Sequence, residues 1–185
     1  AYIVADFGKT LAKLSLWSSD GRCLERITRP NAPQRAPQYV ALDVAGTTAW
    51  LVDALARFAD HPVEAIIPVA HGAAVVALTG DRLAFPPLDY EQPIPPAVLE
   101  AYRCERDAFA VTGSPALPDG LNIGSQLHWL EVLHGDVFRG SRLLPYAQYW
   151  AWVLSGEARS EVTSLGCHSD LWSPAAADFA PMAKA

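Results

Sequence analysis

The stretch Ala1–Arg29, AYIVADFGKTLAKLSLWSSDGRCLERITR, decides the fold. Ala1–Ala5 is a short apolar β run that stops at Asp6. Leu11–Trp17 alternates, with Leu14, Leu16 and the aliphatic stem of Lys13 interleaved. Ser18-Ser19-Asp20-Gly21 is a turn signal, and Arg22–Arg29 reads as a third strand. Three strands joined by tight turns predict an antiparallel meander.

Beyond the meander, Asn31–Pro37 is rich in Pro and polar residues and reads as loop. Thr47 or Thr48 can cap a helix, because its hydroxyl accepts from the first orphan N–H groups. The helix that follows carries Trp50, Leu51, Ala54, Leu55 and Phe58 on one apolar stripe. Val63–Val69 is a further strand. Val75–Leu78 and Arg82–Phe85 flank Thr79-Gly80-Asp81 as a hairpin. Pro86–Pro96 holds five of the fifteen prolines and reads as a shaped loop. Val98–Phe109, Ile123–His134 and Pro145–Leu154 read as helices, the last with Pro at N1 and an end at Ser155-Gly156. Glu157–Thr163 is expected to be a short return strand. The order predicts an α/β fold, a mixed sheet with helices packed on it.

With 185 residues, 51% of them apolar, the chain can bury a core. Net charge is −6 with no basic stripe, which argues against nucleic-acid or anionic-membrane partners. No apolar run approaches the ~20 residues of a membrane span. Cys23, Cys104 and Cys167 lie far apart without CxxC spacing and read as reduced thiols of a cytoplasmic protein. Oligomeric state is not legible, and a homodimer stays open. The first residue, Ala1, and the last stretch, PAAADFAPMAKA, lead us to expect a trimmed or partial chain.

Chemistry concentrates in Asp6-Phe7-Gly8-Lys9-Thr10-Leu11-Ala12-Lys13, across the first turn. Gly8 lets the backbone bend closely and bring N–H groups toward an anion. Thr10 offers a hydroxyl, and Lys9 and Lys13 offer positive charge to phosphate. Asp6 at the strand end suits Mg²⁺, which keeps several waters and bridges to phosphates. Together these are parts for phosphoryl transfer, which rests on positioning and charge stabilisation. Read alone, the same residues also describe an ordinary hairpin with a solvated Asp.

The pattern strand, Asp-x-Gly, turn, strand, Ser-x-Asp-Gly, strand resembles the opening of the FGGY carbohydrate kinases. That family shares a ribonuclease H-like fold with actin, hexokinase and the heat-shock chaperones. It usually carries Asp-x-Gly-Thr-Thr/Ser here, and this chain has Lys9 at the first Thr. Val63–Leu78 is similar to the family's strand and turn ending His-Gly-Ala. The xylulokinase branch uses that His on the sugar, which implies sugar contacts from His71 beside Gly72. A His that merely ends a strand is the alternative. Pro86–Glu91 (PPLDYE) falls where relatives line the sugar pocket. Asp89 and Glu91 there can accept from hydroxyls, and Tyr90 can stack on a C–H face. Leu121–Leu130 resembles a helix start of the form Asn-x-x-x-Gln-Leu, as in rhamnulokinases. Asn122 then meets the sugar or caps the helix, with Gln126 in support. Leu143–Thr163 resembles a further family segment, with Gln148 where Asp is common. Tyr149, Trp150 and Trp152 read as core. The adjacent Cys167 and His168, with Asp170, point in different directions and do not favour a metal site.

The resemblance implies an ATP-dependent kinase acting on a small-molecule sugar, a ketose by the branches matched. It implies that Asp6 holds Mg²⁺ and that Gly8, Lys9, Thr10 and Lys13 bind phosphate. The family's general base, in a Gly-x-x-Asp motif, and its adenosine-binding domain follow the region of Trp172. Neither is found in this sequence, and no Walker A motif replaces them. The expectation is therefore the N-terminal, substrate-binding half of such a kinase, inactive alone. An actin-like or chaperone-like ATPase half is the competing reading, and His71 with PPLDYE weighs against it. A ribonuclease H-like nuclease would need clustered carboxylates and a basic groove.

Overall fold

Alternation places Ile3, Ala5 and Phe7 on one face of the first strand and Ala12, Leu14 and Leu16 on the same face of the second. All six are buried. In the computed structural model, which describes residues 1–184, these belong to β1 (Tyr2–Phe7) and β2 (Leu11–Trp17), followed by β3 (Cys23–Pro30). Two-residue strands β4 (Gln34–Arg35), inside the stretch read as loop, and β5 (Val40–Ala41), just past it, pair with each other. Next come α1 (Val44–Ala56), β6 (Ala65–Ala70), β7 (Val75–Thr79) and β8 (Arg82–Leu83). The helical part holds α2 (Pro96–Glu105), α3 (Phe109–Thr112), α4 (Ile123–His134) and α5 (Asp136–Arg139). β9 (Arg142–Pro145), α6 (Tyr146–Ser155), α7 (Val162–Leu165), β10 (Trp172–Ser173), β11 (Asp178–Phe179) and α8 (Pro181–Lys184) complete it.

The meander is present as read, and β6 joins it in parallel beside β1, giving the mixed order β3-β2-β1-β6. Helices α1 and α6 cover the face of Ile3, Ala5 and Phe7, with Leu51, Phe58, Tyr149 and Trp150 in the shared core. The β7–β8 hairpin is also as read, but it belongs to a second sheet, β8-β7-β9.

Four local readings change. Helix α1 starts at Val44, because the Asp43 carboxylate accepts from the Gly46 N–H at 2.9 Å. Thr47 lies inside it and donates its hydroxyl back to the Asp43 carbonyl. The helix read over Val98–Phe109 is instead α2, begun by Pro96 and stopped at extended Arg106, with α3 separate. Pro145 takes the N-cap of α6 in extended geometry, one place earlier than read, and Gly156 ends that helix left-handed. Glu157–Thr163 forms no strand. Glu161 accepts from the Thr163 and Ser164 N–H groups and opens α7.

Candidate functional site

Parallel pairing of β1 and β6 sets Asp6 opposite Val69 and Phe7 opposite Ala70. The chains following them, Gly8 and His71, therefore leave the sheet at the same end. Antiparallel pairing sets Lys13 opposite Asp6, and their side chains form a 2.7 Å ion pair, both partly exposed. A single carboxylate at a strand end is a fit for Mg²⁺, which takes one or two carboxylates and fills its shell with waters and substrate phosphates. Among the described residues, no group of three acidic, His or Cys side chains cages a metal.

Gly8 is required for space. An added Cβ would lie 2.8 Å from the Leu11 carbonyl oxygen. Its own N–H is consumed by that carbonyl at 3.2 Å, so it closes the turn. The Lys9 and Thr10 N–H groups donate no backbone hydrogen bond among the described residues. A residue not singled out in the sequence, Asn31, braces this turn from behind. Its N–H donates to the Thr10 carbonyl at 2.9 Å and its side-chain amide to the Gly8 carbonyl at 2.8 Å. Arg29 bonds Asn31, Thr47 and Asp43, linking the brace to α1. The β2–β3 register, with Leu11 opposite Pro30, is the signal that could have found Asn31.

His71 stands just past β6, between Tyr90 and Tyr146, at ring-centroid distances of 4.4 and 4.8 Å. Both ring nitrogens are buried without a hydrogen-bond partner. Burial pushes its pKa down to about 4, with Asp89 and Glu91 pulling the other way. The ring is neutral near pH 7 and offers one donor and one acceptor. Gly72 leaves room for Cys167, whose Sγ would be 3.2 Å from an added Cβ.

The 86–91 loop returns to this place. The Asp89 N–H donates to the Val40 carbonyl at 2.9 Å, and the carboxylate is buried. Its Oδ1 accepts from the Glu91 N–H at 3.0 Å and from Lys9 Nζ at 2.9 Å. Lys9 also reaches Glu91 at 2.5 Å and lies 5.4 Å from the Tyr90 ring centre. Burial works against the charged ammonium, yet the two carboxylates hold its pKa above the ordinary lysine value. Lys9 is thus turned toward the loop read as the sugar side, whereas Lys13 pairs with Asp6. A cavity of about 50 Å³ lies between Gly8, Thr10, Asn31, Asp43, Asp89 and Tyr146.

Asn122 stands where one of its readings put it. It occupies the N-cap of α4 but makes no cap bond through its side chain. That amide is buried, accepting from the Leu117 N–H at 2.8 Å and donating to the Pro115 carbonyl at 3.0 Å and Ser114 Oγ at 3.2 Å. Those bonds tie the side chain to the 114–117 segment. Asp170 is held the same way, by Arg106 through two bonds of 2.9 and 2.8 Å and by Tyr102. Gln126 does lend support: its amide donates to the Ala73 carbonyl, two residues past His71, at 2.5 Å.

The chain matches no protein-family model and none of the curated proteins compared with it. Solved structures do match. A carbohydrate kinase from Novosphingobium aromaticivorans shares 64% identity over 100% of this chain, with a TM-score of 0.96. A ligand-bound xylulose kinase from Lactobacillus acidophilus shares 15% over 98%, with a TM-score of 0.79. Plasmodium falciparum glycerol kinase with ADP shares 10% over 99%, at 0.75. The last two show the fold alone. The chain spans 39%, 39% and 40% of the length of these three. On its identity to the first of them, the chain is a homologue of the matching part of a carbohydrate kinase.

Proposed function

We propose that this chain supplies the sugar-binding side, and the phosphate and Mg²⁺ turn, of an ATP-dependent kinase that phosphorylates a hydroxyl of a ketose. The observation that carries the reading is His71. A neutral imidazole with both nitrogens buried and unpartnered is costly to leave so. It stands beside Tyr90, in the field of the buried Asp89. A sugar hydroxyl both donates and accepts, and would satisfy that ring. The likeness of His71-Gly72-Ala73 to the xylulokinase branch supports a ketose.

In this reading Asp6 holds Mg²⁺, which neutralises charge on the transferring phosphoryl group. The free N–H groups of Lys9 and Thr10, the Thr10 hydroxyl and Lys13 receive phosphate oxygens. The acidic residue that takes the hydroxyl proton, and the adenosine site, lie outside these 185 residues. The 39% span of the Novosphingobium kinase supports that division. The reduced-thiol pattern supports a cytoplasmic setting. Among the described residues, no helix is long and apolar enough to cross a membrane.

The test is to give the complete protein ATP, Mg²⁺ and a panel of ketoses, aldoses and polyols, reading ADP release and the mass of the product. A phosphorylated ketose is expected. ATP turnover that no sugar stimulates would overturn the reading.

A further inference from the structure

We propose that Lys9 is a positioning residue on the sugar side of the site, where its ammonium orients the Asp89 carboxylate and ties the 86–91 loop to the turn after β1. This rests on the carbohydrate-kinase reading above.

The geometry is specific. Lys9 and Asp89 are distant in sequence, and their side chains meet at 2.9 Å with Asp89 buried. Lys9 Nζ and the Glu91 N–H both bind Asp89 Oδ1. Among the described residues, Oδ2 accepts no hydrogen bond, and Asp89 lines the small cavity beside Gly8 and Thr10. One oxygen is thus pinned and the other left to accept from a ligand hydroxyl. Lys9 also reaches Glu91 and lies near the ring of Tyr90, which packs on His71.

For Lys9 to give its charge to phosphate instead, it would have to turn away from the two carboxylates. That would strand Asp89 as a buried charge without its cation, which is strongly unfavourable. The turn has another cation for phosphate, Lys13, whose side chain is about two-fifths exposed where that of Lys9 is about one-fifth. The arrangement therefore divides the two lysines between the two substrates.

The experiment is a double-mutant cycle on the complete protein, with Lys9→Met, Asp89→Asn, their combination and Lys9→Arg, each checked by a melting curve. Lys9→Met should raise the sugar KM about ten- to hundredfold, the scale of a charge-assisted hydrogen bond, with the ATP KM within about twofold. Lys9→Arg keeps a cation and should recover part of the loss. In the Asp89→Asn background, Lys9→Met should add little, because the partner it orients is already gone. Should Lys9→Met fail to fold, Lys9→Gln, which removes the charge but keeps a polar end, completes the same cycle with Asp89→Asn. Sugar turnover in which the two effects simply add, or in which ATP KM alone moves, would overturn the inference while leaving the kinase reading intact. A wild-type protein that phosphorylates no sugar would overturn both.

Discussion

The Phe7 ring lies flat on the Trp150 indole, centroids 3.9 Å apart and planes 8° from parallel. Phe7 ends β1 and Trp150 sits in mid-α6, so the stack clamps the strand that leads into the Gly8 turn. Trp150 is fully buried, and its Nε1–H has no partner. Trp150→Ala should cost about 3–5 kcal/mol. Trp150→Phe should cost clearly less, since it keeps an aromatic face and removes an unpaired donor. Urea unfolding midpoints check both, and equal losses would show that the stack is not what stabilises this junction.

His71→Ala in the complete protein should raise the sugar KM about three- to twelvefold, the worth of one neutral hydrogen bond. The ATP KM should hardly change. A sugar KM that stays at its wild-type value would remove His71 from the site.

The buried His71 also gives a pH signature. Its folded-state pKa, about 4, lies below the unfolded value of about 6.5. The unfolded chain therefore binds the extra proton first as pH falls. The stability contributed by the neutral ring is complete above about pH 6.5 and is lost between there and about pH 4. His71→Phe should flatten this part of the stability profile. Urea melts of both proteins at pH 7 and pH 4.5 are the measurement; parallel losses would mean that His71 is not the group responsible.

Asn122→Ala should lower stability and leave the sugar KM unchanged, because its amide is tied to the 114–117 backbone and Ser114. Arg106→Ala should be worse, about 3–5 kcal/mol, since it strands the buried Asp170 carboxylate. Thermal melts alongside sugar titrations distinguish these effects from a direct contact.

Asp6→Asn should act mainly on kcat, falling about a hundredfold, the scale of removing one preorganised electrostatic group. Sugar KM should be nearly kept. Steady-state kinetics at saturating Mg²⁺ would reveal a normal kcat if Asp6 were only the partner of Lys13.

What the sequence disclosed was chiefly local. Alternation and the SSDG turn gave β1–β3, and the apolar period gave α4 to the residue. The cap of α1, read at Thr47 or Thr48, lies at Asp43, ahead of Val44 and Gly46, which have low helix propensity. Burial of Val44 and Thr47 overrode that preference. Strand β9 escaped because four residues ending in Pro become a strand only through β7, far away in the chain. The same holds in the site. His71 and Asp89 could be picked out one by one, but the Lys9–Asp89 contact is a tertiary event with no local signature. For Asn122 likewise, its neighbours in space, not its place at a helix mouth, decide what its amide does.

The parallel ladder that sets Phe7 beside Ala70 has a consequence for how such a site can vary. Main-chain hydrogen bonds hold Gly8 and His71 at the same level, whatever side chains follow. Point substitutions in the turn, such as an exchange of Lys9, can retune which hydroxyl or charge is met without shifting the frame. A one-residue insertion inside Ala65–Ala70 would do the opposite. It would advance the strand by about 3.3 Å and turn its side chains to the other face of the sheet. At this end of the fold, evolution is free in chemistry and confined in length.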